Sequence, residues 1–185
     1  MLAASSLAKA GGSGNAEPAA ADRIKPFFKM VYTYDHPRGM IPLSFRDAAG
    51  KTGTLDDYRG RYVVLNFWAT WCAPCARELP SLRALQEAKG GDRFTVLAAS
   101  ADFGVPSAKI QDFMAKNNAK GLPFALLDET DGVWDVVSTG LPITFIIDPQ
   151  GQVLHKMLGE ADWSAPEIRA FVDDLLANQG GAAKN

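Results

Sequence analysis

Cysteine is nearly absent from this sequence: 185 residues contain two, and both fall in Trp71-Cys72-Ala73-Pro74-Cys75. That scarcity excludes a disulfide-stapled scaffold, because a staple stabilises mainly by closing a long loop and this pair spans two residues. Histidine is equally scarce, with His36 and His155 far apart, so a four-ligand structural zinc site is not expected. A c-type haem attachment site would need histidine directly after the second cysteine, where Ala76 stands. No apolar run reaches the length of a membrane-spanning helix. Charge of one sign is also lacking: the formal net charge is −2, which leaves no footprint for nucleic acid or an anionic membrane surface. No cofactor and no metal are expected.

What is present is an ordinary globular composition, 47% hydrophobic and 22% charged, of a length that suits one domain with extensions. Residues 1–25 read as a flexible segment rich in Ala, Ser and Gly, with Gly11-Gly12-Ser13-Gly14 at its centre. Leu2 to Ala8, followed by Ala8-Lys9-Ala10, resembles part of a signal or anchor segment, although a basic start is missing. An unrelated tail accounts for the same residues equally well. Residues 38–178 form the expected domain, and 179–185 a flexible C-terminal tail.

Along that domain, Ile41–Phe45 and Lys51–Leu55 flank the turn Asp47-Ala48-Ala49-Gly50 and predict a hairpin. Arg61–Trp68 is a near-continuous apolar run, the pattern of a strand buried on both faces. Leu79, Leu82 and Leu85 then mark a helix that stops at Lys89-Gly90-Gly91 and carries Pro80 inside it, where a kink is expected. Phe94–Ala99 and Phe124–Leu127 are short strands, and Ile110, Phe113 and Met114 mark a helix beginning near Pro106. Val133, Val136 and Val137 make a short helical face. Asp148-Pro149-Gln150-Gly151 separates two strands, Ile143–Ile147 and Gln152–Met157, that should pair as a hairpin. Ser164-Ala165-Pro166-Glu167 has the form of a capping box ahead of an apolar stripe through Ile168, Phe171, Val172, Leu175 and Leu176. The alternation predicts an α/β fold with a mainly parallel sheet covered on both faces and closed by an antiparallel hairpin.

The cysteine pair lies where a buried strand gives way to a helix. A sulfur at that terminus meets unpaired amides and the positive end of the helix dipole, which lowers its pKa. Cys75 lies one turn further on and can reach back. The spacing predicts an exposed nucleophile, Cys72, and a sheltered resolving thiol, Cys75, in a thiol–disulfide oxidoreductase. A pair of inert core cysteines is the plain alternative.

Trp68-Ala69-Thr70-Trp71-Cys72-Ala73-Pro74-Cys75 with Glu78-Leu79-Pro80, Leu141-Pro142 and Gly159-Glu160-Ala161-Asp162-Trp163 resembles the TlpA-like and ResA-like branch of extracytoplasmic thioredoxins. The resemblance implies a thioredoxin fold: a mixed central sheet flanked by helices on both faces, an N-terminal β-hairpin extension, and a central insertion near Phe103–Lys120. It implies that Pro142 is a cis-proline beside the active pair, with the Leu141 backbone free to pair with an extended substrate. It assigns Glu78 to the proton of Cys75. Asn66 stands where ordinary thioredoxins hold a buried Asp and cannot accept that proton, so the resemblance makes Glu78 the best candidate for it; a solvated glutamate on the helix surface is the plain alternative. Trp71, Pro74, Leu141 and Pro142 are the expected substrate-facing residues; Trp68 is expected to fill core, and His36 and His155 are given no role.

The resemblance further implies a monomeric periplasmic reductant, with a membrane anchor through the N-terminal segment as one option. Its clients would be proteins bearing cysteine pairs, of the cytochrome c maturation or copper-centre assembly type, and its electrons would come from a membrane-embedded thiol reductase. A disulfide-donating oxidase or isomerase on the same site is an alternative, since Ala73-Pro74 does not decide direction. A peroxide-reducing enzyme and a non-enzymatic copper carrier are others; the first would not need this pair, and the second would bring wider cysteine spacing and a histidine ligand.

Overall fold

A computed structural model describes residues 21–39, 41–128 and 133–178. The flexible segments expected at the two ends therefore lie outside the described residues, apart from 21–25. That remainder is packed: a helical turn at 21–24 and a 3-10 turn over Lys25–Phe27 place Ala21, Ile24 and Phe28 in buried positions.

Among the described residues eight strands form one sheet, in the spatial order β1 (Met30–Arg38), β8 (Val153–Leu158), β7 (Ile143–Ile147), β4 (Tyr62–Trp68), β5 (Phe94–Ser100), β6 (Phe124–Leu127), β2 (Ser44–Arg46) and β3 (Thr52–Thr54). β4 lies at its centre, parallel to β5 on one side and antiparallel to β7 on the other. All residues of β4 and β5 are buried, as their unbroken apolar runs require. β6 continues the parallel side, and the hairpin of β2 and β3 closes that edge. β8 pairs with β7 across a turn held by Asp148, whose Oδ1 accepts the Gln150 and Gln152 amides at 2.9 and 2.7 Å. Asp47 does the same for Ala49 and Lys51 in the first hairpin, both at 2.9 Å.

Two expectations are corrected. The sheet is mixed and mostly antiparallel, not mainly parallel: two of the pairings between strands run parallel, β4 with β5 and β5 with β6. Among the described residues the connection from β6 to β7 carries the five-residue helix α3 (Val133–Val137), and the chain re-enters the sheet with β7 antiparallel to β4 and forming a hairpin with β8. The second correction is β1 (Met30–Arg38), an edge strand antiparallel to β8 that lies ahead of the domain start expected at residue 38.

Three helices cover one face of the sheet. α1 (Ala73–Lys89) buries Leu79, Leu82 and Leu85, α2 (Ser107–Lys116) buries Ile110 and Met114, and α4 (Pro166–Asn178) buries Ile168, Phe171, Val172 and Leu175 in the same core. The opposite face packs Val63, Leu65, Phe67, Phe145 and Ile147 under Val133 and Val137 of α3 and Leu55 of the turn after β3. α1 passes through Pro80 without a break. Ahead of α4, the Ser164 hydroxyl donates to Asp162 Oδ1 at 2.5 Å.

Candidate active site

Cys72 and Cys75 are joined by a disulfide with 5.3 Å between their Cα atoms. The chain leaves β4 at Trp68, turns, and enters α1, with Cys72 as the N-cap. The turn closes through the Cys72 amide, which donates to the Ala69 carbonyl at 3.1 Å. The Cys75 amide donates to Cys72 Sγ at 3.3 Å, so one otherwise orphaned helix amide is aimed at that sulfur. Thr70, the polar residue nearest the cap, turns away and donates to Asp102 instead.

Exposure follows the expected order of the two sulfurs but not its degree. Cys75 is fully buried, and Cys72 is only 6% exposed rather than open. Trp71 is the outward residue, 70% exposed, so it borders the pair without covering it. Trp68 is core, stacked on Phe113 with ring centroids 5.7 Å apart. The Leu141–Pro142 peptide is cis, and the Pro142 carbonyl accepts the Gly159 amide at 3.0 Å.

Glu78 is 2% exposed, one helical turn beyond Cys75 on α1. Three donors converge on its carboxylate: Asn66 Nδ2 at 2.7 Å on Oε1, with the Ala161 amide and Trp163 Nε1 each at 3.2 Å on Oε2. Burial nevertheless prevails and pushes the carboxyl up from 4.5 to about 7, with the charge of Glu160 adding to the rise. Asn66 also donates to Thr144 Oγ1 at 3.0 Å, while its own Oδ1 is buried without a partner. A cavity of about 440 Å³ opens beside Glu78, bounded by Phe27, Pro80, Ser81 and Ala161 and by the Arg77–Glu160 ion pair.

His155 is buried, within 3.2 Å of Thr33 Oγ1 and edge-on to Phe171, and burial lowers it from 6.5 to about 4. His36 is exposed. The structure thus brings Cys72, Cys75 and Glu78 together along one end of α1. It adds Trp163, the Ala161 amide and Thr144, whose part the sequence reading did not assign. Trp163 stands in the quoted motif Gly159–Trp163, but its indole hydrogen bond depends on a long-range contact that no local pattern encodes.

A mixed sheet with a central strand that runs into a disulfide-capped helix, and a cis-proline entering the neighbouring strand, defines a thioredoxin-fold protein. The AhpC/TSA family matches residues 38–156, and the chain belongs to that family. Thiol-disulfide oxidoreductase ResA of Geobacillus kaustophilus (strain HTA426) is 36% identical over 115 residues, 61% of this chain and 63% of that protein. The chain therefore spans less than two thirds of that relative's length. A DsbF homologue from Corynebacterium diphtheriae superposes with a TM-score of 0.63 at 24% identity, covering 78% of this chain and 92% of that one. The exposed lipoprotein thioredoxin of Streptococcus pneumoniae strain TIGR4 gives 0.56 at 25% identity, covering 71% and 98%.

Proposed function

We propose that this protein is a thiol–disulfide oxidoreductase that reduces cysteine pairs of client proteins outside the cytoplasm. The observation that carries the reading is the Cys72–Cys75 disulfide at the head of α1 with the buried Glu78 carboxyl one turn behind it. In the reduced protein Cys72, as thiolate, attacks a client disulfide; one client sulfur leaves as thiolate and a mixed disulfide forms. Cys75 then gives up its proton and its sulfur attacks Cys72 Sγ; the bond between Cys72 and the client breaks, the client's second sulfur leaves as thiolate and both client sulfurs take protons from solvent, while the Cys72–Cys75 bond re-forms. Glu78 accepts the Cys75 proton: its carboxyl changes state near neutral pH, as a general base at this step requires. Side chains at i and i+3 of a helix stand about 5–6 Å apart at Cβ, within reach directly or through one water.

Leu141 and Pro142 supply an extended edge for the client backbone, and Trp71 and Pro74 form the surface beside the sulfurs. The names of the relatives support the chemistry and an extracytoplasmic setting; no helix among the described residues is long and apolar enough to cross a membrane. A membrane-embedded thiol reductase would resupply electrons to a monomer, and the clients would be cytochrome c maturation or copper-centre assembly proteins.

The test is the reduction potential of the pair, measured by equilibration against defined thiol buffers. A value between about −200 and −270 mV, or below, is expected for a reductant; about −120 mV would make the protein a disulfide donor. A pair that failed to equilibrate would remove the oxidoreductase reading altogether.

A further inference from the structure

Behind the turn that carries Cys72 lies a second buried carboxylate, which the proton chemistry of Glu78 does not use. Asp102 follows β5 by two residues and is 8% exposed. Its Oδ2 accepts the Thr70 amide at 2.9 Å and the Ser100 hydroxyl at 2.8 Å, and its Oδ1 accepts the Thr70 hydroxyl at 2.7 Å. It takes part in none of the ion pairs among the described residues. One residue earlier, the Ala101 amide donates to the Trp68 carbonyl at 2.8 Å. The exits of β4 and β5 are therefore stitched at successive positions, and the stitch ends two residues before Cys72.

Burying an anion without a cation is costly, and here hydrogen-bond donors alone offset that cost, two of them from one residue. What the arrangement gains is a fixed Thr70. In the oxidised protein the Cys72 side chain is also held covalently by Cys75; on reduction that bond is gone and only the backbone holds the sulfur at the helix terminus. Thiolate stabilisation there depends on alignment with the helix amides and falls off within a turn.

We infer that Asp102 is a positioning residue for Cys72: by clamping Thr70 to the end of β5, it keeps the reduced sulfur aimed at the amides of α1. This rests on the oxidoreductase reading. The clamp matters more in the reduced form than in the oxidised one, whereas a carboxylate that only supports the fold would serve both forms alike.

The test compares Asp102→Ala and Asp102→Asn in the full chain. Asparagine preserves the geometry: its Oδ1 can accept from the Thr70 amide and Ser100, and its amide can donate to the Thr70 hydroxyl, which then becomes the acceptor. For Asp102→Ala, the equilibrium with thiol buffers should move about tenfold toward the disulfide, about 30 mV more reducing. Alkylation of Cys72 by iodoacetamide, followed against pH in a Cys75→Ser background, should titrate about one unit higher. Asp102→Asn should stay within about twofold of the wild type in both readouts. Unchanged values for Asp102→Ala would overturn the inference. So would an Asp102→Asn protein displaced as far as Asp102→Ala, because the charge and not the clamp would then be responsible. If Asp102→Ala does not fold, Thr70→Ala removes the hydroxyl contact alone and should shift both readouts in the same direction by a smaller amount; no shift would overturn the inference equally. Failure of the wild-type pair to equilibrate at all would strike the oxidoreductase reading, while the alkylation profile of Cys72 would still decide the clamp.

Discussion

Glu78 and His155 are both buried and both give up charge to burial, yet they act on stability with opposite signs. The folded protein keeps the Glu78 proton up to about pH 7, whereas an ordinary carboxyl releases it near 4.5, so its contribution is full below 4.5 and declines as pH rises to about 7. His155 stays neutral down to about pH 4 against an ordinary 6.5, so its contribution is full above 6.5 and is lost as pH falls to about 4. Each shift corresponds to about 3 kcal/mol, and the two slopes oppose each other where the windows overlap. Glu78→Gln should therefore expose the His155 slope: urea unfolding should show stability rising by about 3 kcal/mol between pH 4 and 6.5. The same profile in variant and wild type would return Glu78 to an ordinary acid. Glutamine can be accommodated, because Asn66 can turn its unpartnered Oδ1 toward the new amide. At the sulfurs, Cys75→Ser should accumulate mixed disulfides with clients, and Cys72→Ser should abolish exchange. Recovery of no trapped client from Cys75→Ser cells would dissolve the proposed division of labour.

Among the elements, the segment Gly159–Trp163 between β8 and α4 governs the proton site from outside α1. Trp163 Nε1 donates to Glu78, its amide donates to the Ser81 hydroxyl at 3.1 Å, and its ring meets Phe28 edge-on at 5.2 Å. Trp163→Phe should retain most of the packing, remove one donor to the carboxylate and raise the Glu78 pKa further, an effect readable by NMR titration of the side-chain carboxyl. Phe28→Ala should cost about 3–4 kcal/mol by leaving a cavity against Trp163, measured by chemical unfolding. Most elements were legible because their pattern is local: the apolar runs of β4 and β5, the leucine spacing of α1, and the Asp-led turns. Cys72 and Cys75 stood out as candidates for the same reason, a close pair at a strand–helix junction, whereas Glu78 became a candidate only through the family resemblance of the motif around it. β1 was not legible, because an edge strand need not alternate cleanly and this one contains Pro37. The spacing of Ala21, Ile24 and Phe28 is helical, and was the available signal for the packed segment before it. Asp102, Thr144 and Trp163 reach the site only through the sheet order, which no window of sequence contains.

For the molecule as a whole, the sheet predicts a gradient of local stability. β4 and β5 are buried throughout at the centre, while β1 and β3 are the edges. Hydrogen exchange of the oxidised protein should find the slowest amides in β4 and β5 and the fastest strand amides in β1 and β3. Rapid exchange in β4 would contradict the central placement. The two edges differ in reach, since β3 pairs with its sequence neighbour β2 and β1 waits for β8 near the other end of the chain. The Cys72–Cys75 bond spans two residues and needs none of this to close. The disulfide can therefore close on an exported chain whose β7, β8 and Trp163 have not yet docked. The folding protein would carry its sulfur pair before it carries the carboxyl environment of Glu78, and it would become a competent proton-coupled exchanger only when its last third had packed onto the sheet.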